Sequence, residues 1–266
     1  LRLEICQHFD QYDNVRPSRL LPGIQSPLKN IGPAELDWVI VRENTEGEYS
    51  GAGGRVHPKL PQEVGIDVSV FTRDGIERVM RYAFELALTR PKKQLTLVTK
   101  SNAQRHGMVL WDEVFEKLKH DYSGITTDRM LGDAVTTRMV LQPQSLDTIV
   151  ATNLHADILS DLAAALSGSL GIGPTANINP ERTFPSMFEP IHGSAFDLVG
   201  KDLANPLGAF WSCVMMLEHL QEKEAASLLM TAIEEVCREG RHLPKDLGGN
   251  SSTSEVTSAV CAALKK

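Results

Sequence analysis

The sequence contains little cysteine, no excess of positive charge and no long hydrophobic run. None of its four cysteines has the paired spacing of a metal site, so we interpret them as reduced thiols of a cytoplasmic protein. The net charge of −7 disfavours nonspecific binding to nucleic acid. No apolar run approaches the roughly 18 residues that a membrane-spanning helix needs. The remaining composition, 42% hydrophobic and 23% charged over 266 residues, is typical of a globular protein with one large or two ordinary domains.

A short apolar and β-branched run at 146–152 is followed by a helical pattern that contains two aspartates. The run predicts a buried strand. Asp157 and Asp161 are four residues apart, so a helix places both carboxylates on one face, one turn apart. Such a pair is often only a solvated acidic surface, but apolar residues flank it, and open α/β sheets bind ligands just past the carboxyl ends of strands. Because carboxylate oxygens suit Mg²⁺ and Mn²⁺, we predict a divalent-metal site here.

Strands and helices alternate over residues 38–168, and this order predicts an α/β fold. The pattern indicates strands at 38–41, 64–70, 95–99 and 146–152, and helices at 74–90, 108–118 and 134–141. The period-two alternation at 64–70 predicts pairing with a strand near Tyr49, as an extended arm. Further helices are expected at 3–13, 210–220 and 225–236, and a last one from a capping box at Ser252 to about Leu264. The stretch around Pro17 and the tract after residue 167 are expected to be irregular.

Polar residues are concentrated where predicted strands end. Arg42–Tyr49 follows one strand directly, which favours a site-forming loop over core. Lys100–Asn102 follows another, although a lysine there is ordinarily only a surface charge. The Gly-Ser pair within Phe188–Asp197 offers exposed backbone N–H groups, but it is not a GxGxxG sequence and is a weak signal alone.

Six segments, in their order along the chain, resemble those of the β-decarboxylating dehydrogenases, the family of the isocitrate, 3-isopropylmalate, D-malate and tartrate enzymes. These segments are Asn14–Pro17, Arg42–Tyr49, Thr99–Asn102, Asp157–Asp161, Phe188–Ser194 and Ala204–Pro206. Within the family the sequence is most similar to the tartrate and D-malate branch. The resemblance implies the isopropylmalate/isocitrate dehydrogenase-like fold, with two α/β domains around one mixed sheet and a cleft between them. Residues 12–167 would then form the domain that binds metal and substrate and that dimerises, and residues 1–11 and 168–266 the cofactor-binding large domain.

The matching positions imply how substrate and metal are held. Arg16 and Arg42 would bind a substrate carboxylate through bidentate hydrogen bonds. Asp157 and Asp161 would bind Mg²⁺ or Mn²⁺ together with the substrate, and Asp133 would add a ligand from the partner subunit. The resemblance therefore implies a homodimer with shared active sites.

Two further positions imply proton transfer. Lys100, also from the partner subunit, would take the proton of the substrate hydroxyl. Tyr49 would protonate the enol that remains after carbon dioxide leaves. Hydride transfer would come first, and the metal would then stabilise the enolate formed by decarboxylation, as a Lewis acid.

The cofactor residues are implied in the same way. They would be Asn102, His192, Gly193, Ser194, Ala195, Asp197 and Asn205. A carboxylate at Asp197 can accept hydrogen bonds from both ribose hydroxyls but would repel the 2′-phosphate of NADP, so NAD is the expected cofactor.

The sequence differs from the family pattern in three ways that affect the expected domain structure, substrate and cofactor loop. The sequence starts at Leu1, well after the family's usual start, so we expect the large domain to lack an N-terminal segment. Cys6 stands ten residues before Arg16, where isocitrate and isopropylmalate enzymes have another substrate arginine, and this favours a small diacid. Phe196 replaces a proline in the cofactor loop.

The expected function is NAD- and metal-dependent oxidation and oxidative decarboxylation of a small 2-hydroxy diacid, tartrate or D-malate. One alternative is an isocitrate or 3-isopropylmalate dehydrogenase. An alternative of another class is a catalytically silent structural or regulatory homologue, or an inactive fragment. The enzyme is favoured because silent subunits tend to lose such residues, and all five are present here: Tyr49, Lys100, Asp133, Asp157 and Asp161.

Overall fold

The computed structural model describes residues 2–265, and this part of the chain forms eight α-helices and nine β-strands. In chain order they are α1 (Arg2–His8), β1 (Asp13–Arg19), β2 (Asp37–Glu43), β3 (Gly47–Val56), β4 (Val64–Val70), α2 (Arg73–Thr89), β5 (Gln94–Thr99), α3 (Gly107–Leu118), β6 (Thr126–Leu131), α4 (Gly132–Leu141), β7 (Thr148–Ala151), α5 (Asn153–Leu166), β8 (Pro174–Ile178), β9 (Met187–Pro190), α6 (Leu207–His219), α7 (Lys223–Glu239) and α8 (Thr253–Ala263).

Seven of the strands form one mixed sheet in the order β6-β5-β7-β2-β1-β8-β9. The first four are parallel to one another, whereas β1 is antiparallel to both of its neighbours and β9 is antiparallel to β8. Because β1 pairs with β2 on one side and with β8 on the other, a single sheet continues from the 12–167 segment into the C-terminal segment. The α/β fold with a mixed sheet is therefore confirmed.

Helices cover both faces of the sheet and bury two main apolar clusters. On one face, α2 and α3 pack over the parallel strands through side chains such as Phe84 and Trp111. On the other, α4 to α8 enclose a larger cluster that includes Trp38, Met139 and Ile233. Within residues 2–265, no helix combines the length and the apolar character that crossing a membrane requires.

The strands β3 and β4 form a separate two-stranded arm, as the alternation at 64–70 predicts. The arm keeps its apolar side chains at the surface: Val56, Val64, Ile66 and Val68 are each 47–50% exposed. An isolated hairpin of this kind is only marginally stable in water. The arm is therefore a surface that a further contact would stabilise.

Two expectations about irregular segments are wrong. The stretch around Pro17 is strand β1, and Pro17 is tolerated there because β8 pairs only with Asp13–Val15, which leaves the rest of β1 at an edge on that side. The tract after residue 167 contains strands β8 and β9, and β6 was not predicted either. Helix α1 also ends earlier than expected, at His8.

Asp13, at the start of β1, is a buried carboxyl without a hydrogen-bond partner among the described residues. It is fully buried, and both of its carboxyl oxygens are unpaired. Desolvation raises its pKa well above the usual value, against the opposing charge of Arg78, and the neighbouring carboxylate of Glu43 raises it further. The structure is therefore most stable when Asp13 carries a proton.

We predict that Asp13→Asn stabilises the protein at high pH. Protonated Asp13 contributes stability that is complete below the pKa of the unfolded state, about 3.9, and is lost as the pH rises through the higher pKa of the folded state. An asparagine does not ionise, so the variant does not suffer this loss. Denaturant unfolding at pH 5 and pH 8 should show the variant gaining about 1–3 kcal/mol on the wild type between the two pH values. As a control, Asp147→Asn breaks a buried ion pair with Arg90 (2.5 Å) and should destabilise the protein. An Asp13→Asn variant that loses stability at pH 8 would contradict the prediction.

Candidate active site

Most of the residues predicted to bind substrate and metal or to transfer protons lie where parallel strands of the sheet end, whereas Arg16 lies on the antiparallel strand β1. Arg42 is near the end of β2, Lys100 follows β5, Asp133 follows β6, and β7 leads into α5, which carries Asp157. The carboxyl ends of parallel strands meet at one edge of a sheet, which is the usual place for ligands in open α/β folds. The expectation from the sequence that polar residues at strand ends form a site is consistent with this arrangement.

Helix α5 presents both predicted metal aspartates on one face. Thr152 caps its N-terminus, and its side chain accepts a hydrogen bond from the backbone N–H of His155 (3.3 Å). The opposite face of α5, which includes Ala156 and Leu159, packs into the core. The capped and packed helix therefore holds Asp157 and the following turn in a defined position.

Asp157 is the centre of the hydrogen-bond network at this site. Its Oδ1 accepts from Nη1 of Arg42 and from Nη1 of Arg16 (3.3 Å), and its Oδ2 accepts from the hydroxyl of Tyr49 (3.2 Å). Both arginines are buried, with 4% of Arg16 and 1% of Arg42 exposed. The structure thus brings the two predicted substrate arginines and Tyr49 to one aspartate.

Charges at the centre shift the pKa values of these groups in opposite directions. Desolvation works to raise the pKa of Asp157, but the Arg42 and Arg16 guanidiniums outweigh it and lower that pKa. Burial, together with the charge of Arg42, lowers the pKa of Arg16 to about 9. Burial and then the Asp157 charge raise the pKa of Tyr49, so this phenol keeps its proton at neutral pH.

Asp161 differs from Asp157 in having no partner for its carboxylate. It makes no hydrogen bond or ion pair with another described residue, and desolvation followed by the charge of Asp157 raises its pKa. A pair of carboxylates that includes an unpaired, raised-pKa member fits a divalent cation that prefers oxygen ligands. Among residues 2–265, however, no group of three or more His, Cys, Asp or Glu side chains could hold a metal ion. Within one chain, the donor set is two carboxylates.

The predicted partner-subunit residues form their own pair. Lys100 Nζ donates to Oδ1 of Asp133, and this hydrogen bond lowers the pKa of Asp133. No hydrogen bond or ion pair in the described part of the chain joins this pair to Asp157 or Asp161. One copy of the chain therefore contains two separate groups of predicted site residues.

Several residues that orient the site were not predicted. Asn153 accepts from Nε and Nη2 of Arg42 (2.9 and 2.6 Å), and Asn14 and Ser160 accept from Arg16 at 2.6 Å each. These contacts are supplied by β1 and by the start and middle of α5. Ser160 lies 144 residues from Arg16 and Asn153 lies 111 residues from Arg42, so no local pattern indicated them, whereas Asn14 lies two residues before Arg16.

Glu48 was also missed, and it connects the base of the arm to α5. Its carboxylate accepts from the hydroxyl of Thr152 (2.9 Å) and from the backbone N–H of Leu154 (3.1 Å). A carboxylate at a helix N-terminus is favourable because it satisfies free N–H groups of the first turn. The acidic motif Arg42–Tyr49 was the available signal for it.

The predicted cofactor residues lie apart from this centre, most of them in a surface loop before α6. Gly193 has open space around it, and Ala195 adopts a left-handed conformation (φ 42°) that leads into a short 3₁₀ turn containing Asp197. Asn205 donates to Asp246 (2.9 Å) and accepts from the first backbone N–H of α6 (2.9 Å). Phe196 is 84% exposed. Asn102 is in the turn after β5. The loop is open enough to contact a ligand, and Asn205 anchors its end.

We predict opposite effects of Asp157→Asn and Asp161→Asn on the metal-free protein. Asp157→Asn leaves two buried guanidiniums uncompensated and should lower the free energy of unfolding at pH 7 by about 2 kcal/mol, less than the loss of a fully buried pair because Asp157 is partly exposed. Asp161→Asn removes an unpaired like charge and should raise it by a few tenths of a kcal/mol. Because the pKa of Asp157 is lowered in the folded state, its contribution to the free energy of unfolding is complete above about pH 3.9 and is lost as the pH falls below that value. Denaturant unfolding in chelator measures both, and equal effects would contradict this account.

Comparison with known proteins agrees with the fold and the motifs. The model of the isocitrate/isopropylmalate dehydrogenase family matches residues 2–260. A probable tartrate dehydrogenase/decarboxylase of Agrobacterium vitis is 65% identical over 264 residues, which are 99% of this chain and 74% of that protein. The decarboxylating D-malate dehydrogenase of Escherichia coli K12 is 48% identical, covering 97% of this chain and 73% of that enzyme. The crystal structure of isocitrate dehydrogenase from Methylococcus capsulatus matches with a TM-score of 0.92 at 36% identity, over 100% of this chain and 77% of that one. The chain belongs to the isocitrate/isopropylmalate dehydrogenase family.

Proposed function

We propose that this protein catalyses the NAD- and divalent-metal-dependent oxidation and oxidative decarboxylation of tartrate or D-malate. The observation that carries this proposal is the convergence of two buried arginines and Tyr49 on Asp157, one helical turn from the unpaired Asp161. Relatives with the names tartrate dehydrogenase/decarboxylase and D-malate dehydrogenase, at 65% and 48% identity, support the substrate class.

Arg16 and Arg42 are placed to hold the carboxylates of the substrate. The two arginine side chains are held by Asn14, Asn153 and Ser160. The arginines have therefore already lost their rotamer entropy before a ligand binds. Nη2 of Arg16 has no hydrogen bond to another described residue and is not among the buried unpaired atoms, so it is available to a ligand. A planar guanidinium with free donors is suited to a carboxylate.

Asp157 and Asp161 would hold the metal, with Asp133 of a second subunit and the substrate itself completing the ligands. When bound, Mg²⁺ or Mn²⁺ supplies a Lewis acid at the substrate hydroxyl and its carboxylate, and NAD supplies the hydride acceptor. Tyr49 keeps its proton through its raised pKa and can donate it at the carbon that loses carbon dioxide. Lys100, as the neutral amine, would accept the hydroxyl proton in the partner's site, and its contact with Asp133 fixes its nitrogen next to a proposed metal ligand.

The cofactor proposal depends on the loop from His192 to Asn205. The exposed carboxylate of Asp197 follows the left-handed turn at Ala195 and is free to accept hydrogen bonds from ribose hydroxyls. The same negative charge disfavours a 2′-phosphate, so NAD is proposed over NADP. Asn102, Gly193 and Ser194 would contact the remaining parts of the dinucleotide.

We propose that the two parts of the chain have different binding functions. Residues 12–167 would bind metal and substrate and form the dimer, and residues 1–11 and 168–266 would form the cofactor-binding domain. The four unpaired cysteines support a reducing compartment, the cytoplasm. The competing proposal of a silent homologue is disfavoured because each proposed catalytic side chain is present and, for Tyr49, Lys100 and Asp133, engaged with a charged partner at the site.

A homodimer is proposed because the Lys100–Asp133 pair is separate from the aspartates of its own chain. Apolar side chains are exposed on α4 and α5, at Val140, Leu141 and Ile158, and also along the arm. Helix faces of this kind can pack against their copies in an isologous four-helix contact. Such a contact would bring the pair from one subunit towards the aspartates of the other.

The decisive test of function is an assay of NADH formation with Mn²⁺. We expect turnover of D-malate or tartrate that chelator abolishes and that Asp161→Asn reduces by at least about 100-fold, since loss of a ligand removes several kcal/mol of charge stabilisation. NADP should be used less well than NAD. Ser258→Ala, on α8 away from the site, serves as a control and should retain activity. Faster turnover of isocitrate or 3-isopropylmalate would overturn the substrate proposal.

Assembly can be tested independently of activity. Sedimentation equilibrium at micromolar concentration should give a dimer for the wild type and a shift towards monomer for Ile158→Glu, because a buried, unpaired carboxylate is costly at an interface. Leu228→Glu on α7 is the matched control: Leu228 is 59% exposed and Ile158 57%, but only Ile158 lies on the proposed contact. A folded wild-type monomer would exclude the shared-site roles of Lys100 and Asp133.

A further inference from the structure

Arg2, in the first turn of α1, contacts three other parts of the structure through one guanidinium. Its Nε donates to Oε1 of Glu189 (2.9 Å), and its Nη2 donates to Oδ1 of Asn44 and to Oδ1 of Asn177, each at 3.0 Å. Glu189 also accepts from Nδ2 of Asn177 (3.0 Å), which holds this carboxylate in place. The guanidinium is therefore fixed from the side of β2, β8 and β9, far from Arg2 in the sequence.

The same network leads directly to the arginines of the proposed substrate site. Asn177 Oδ1 also accepts from Asn14 (2.7 Å), and Oδ1 of Asn14 accepts from Nε of Arg16 (2.6 Å). Asn44 follows β2, two residues after Arg42. Two asparagines thus connect the guanidinium of Arg2 with that of Arg16, and a third lies beside Arg42.

Three guanidiniums close together are costly unless an anion compensates them. The positive charge of Arg2 acts on both Arg16 and Arg42, so the three guanidiniums repel one another. Nη1 of Arg2 makes no hydrogen bond to another described residue and is not a buried unpaired atom. A fixed cation with a free donor nitrogen next to two more cations is an arrangement that suits a polyanionic ligand.

Helix geometry places Arg2 near Cys6, the residue that stands where isocitrate and isopropylmalate enzymes have another substrate arginine. The two residues are four apart on α1 and therefore lie on the same face, one turn apart. Cys6 is buried, and burial raises the pKa of its thiol, while the charge of Arg2 lowers that pKa; Asn44 and Glu189 are also close enough to act on it. The guanidinium of Arg2 therefore lies near Cys6, a buried side chain that supplies no positive charge to the site.

We propose that Arg2 is a third carboxylate-binding arginine of this site and determines its preference for dicarboxylates, with its free Nη1 donating to the substrate. This inference rests on the proposed function and names a specificity residue for it. It also means that the neutral Cys6 does not leave the site one cation short.

The charges of the site agree with a doubly charged substrate. The guanidiniums of Arg2, Arg16 and Arg42 face three carboxylates, those of Glu189, Asp157 and Asp161. A divalent cation at the aspartates would leave two positive charges in excess, and the pair Lys100–Asp133 would add none. A 2-hydroxy diacid carries two negative charges. Without Arg2, the site would be one positive charge short of this balance.

The experiment compares Arg2→Met with a matched control in calorimetric titrations. Arg2→Met should weaken D-malate binding, measured with Mn²⁺ present, by about 10- to 100-fold, the usual effect of losing a charge-assisted hydrogen bond. Mn²⁺ binding without diacid should be unchanged or slightly tighter, because only a cation has been removed. Arg19→Met is the control, since Arg19 has similar side-chain exposure (32% against 28%) and also pairs with a glutamate, but lies outside the network. Arg2→Lys keeps the positive charge but loses the planar pair of guanidinium donors, so its affinity for D-malate should lie between those of the wild type and Arg2→Met.

The double variant Arg2→Met/Cys6→Arg supplies a guanidinium from the neighbouring turn and should recover most of the D-malate affinity. Unchanged D-malate binding in Arg2→Met would overturn the proposal. Equal losses of Mn²⁺ and D-malate affinity would also overturn it, because they would show a structural role for Arg2. If the wild type binds neither D-malate nor tartrate, the proposed function itself fails, and this outcome is distinct from the failure of Arg2 alone.

Discussion

The site depends on the compensation of two buried guanidiniums by one carboxylate. Arg16 and Arg42 are almost inaccessible to solvent, and Asp157 is the acidic side chain that both of them contact. Removing charged groups from water is expensive, and such a group is tolerated only where hydrogen bonds and opposite charge replace the water. The surrounding asparagines and Ser160 accept from other donors of these arginines, apart from Nη2 of Arg16, but contribute no charge. Asp157 therefore supports the structure and is also a proposed metal ligand, and binding of a metal would compete with the arginines for its oxygens.

The sheet explains how residues so distant in sequence reach this centre. Because β1 is antiparallel to β2, its start lies beside the carboxyl end of β2, and the pair Asn14–Arg42 is in register there. The parallel neighbour β7 delivers α5 to the same edge. The other neighbour of β1 is β8, which places Asn177 opposite Asn14. One reversed strand thus joins the proposed substrate arginines to the part of the chain that carries the proposed cofactor loop.

The sequence predicts the local parts of this site and misses those that depend on distant pairing. The i, i+4 spacing of Asp157 and Asp161 is local, so the helical pattern alone indicated it, whereas the N-cap Thr152 of the same helix was not predicted. The position of β1 was obscured by Pro17, whose tolerance depends on how far β8 extends along the neighbouring strand. Glu48 acts across 104 residues on Thr152, and Arg2 across 175 on Asn177. Side chains that far apart are brought together only by the finished fold.

A single copy of the chain contains every proposed catalytic group but does not assemble them. The pair Lys100–Asp133 stands at the ends of β5 and β6, whereas the aspartates of α5 lie beyond the end of β7. An ammonium and a carboxylate that neutralise each other can remain at the surface at little cost. The exposed apolar side chains of α4, α5 and the arm are the surfaces that would gain most from burial. Glu48 ties the base of the arm to the first turn of α5, so an event that fixes the arm would also steady the helix that carries Asp157. The proposed association and the proposed metal site would thus be physically connected through one carboxylate at a helix N-terminus.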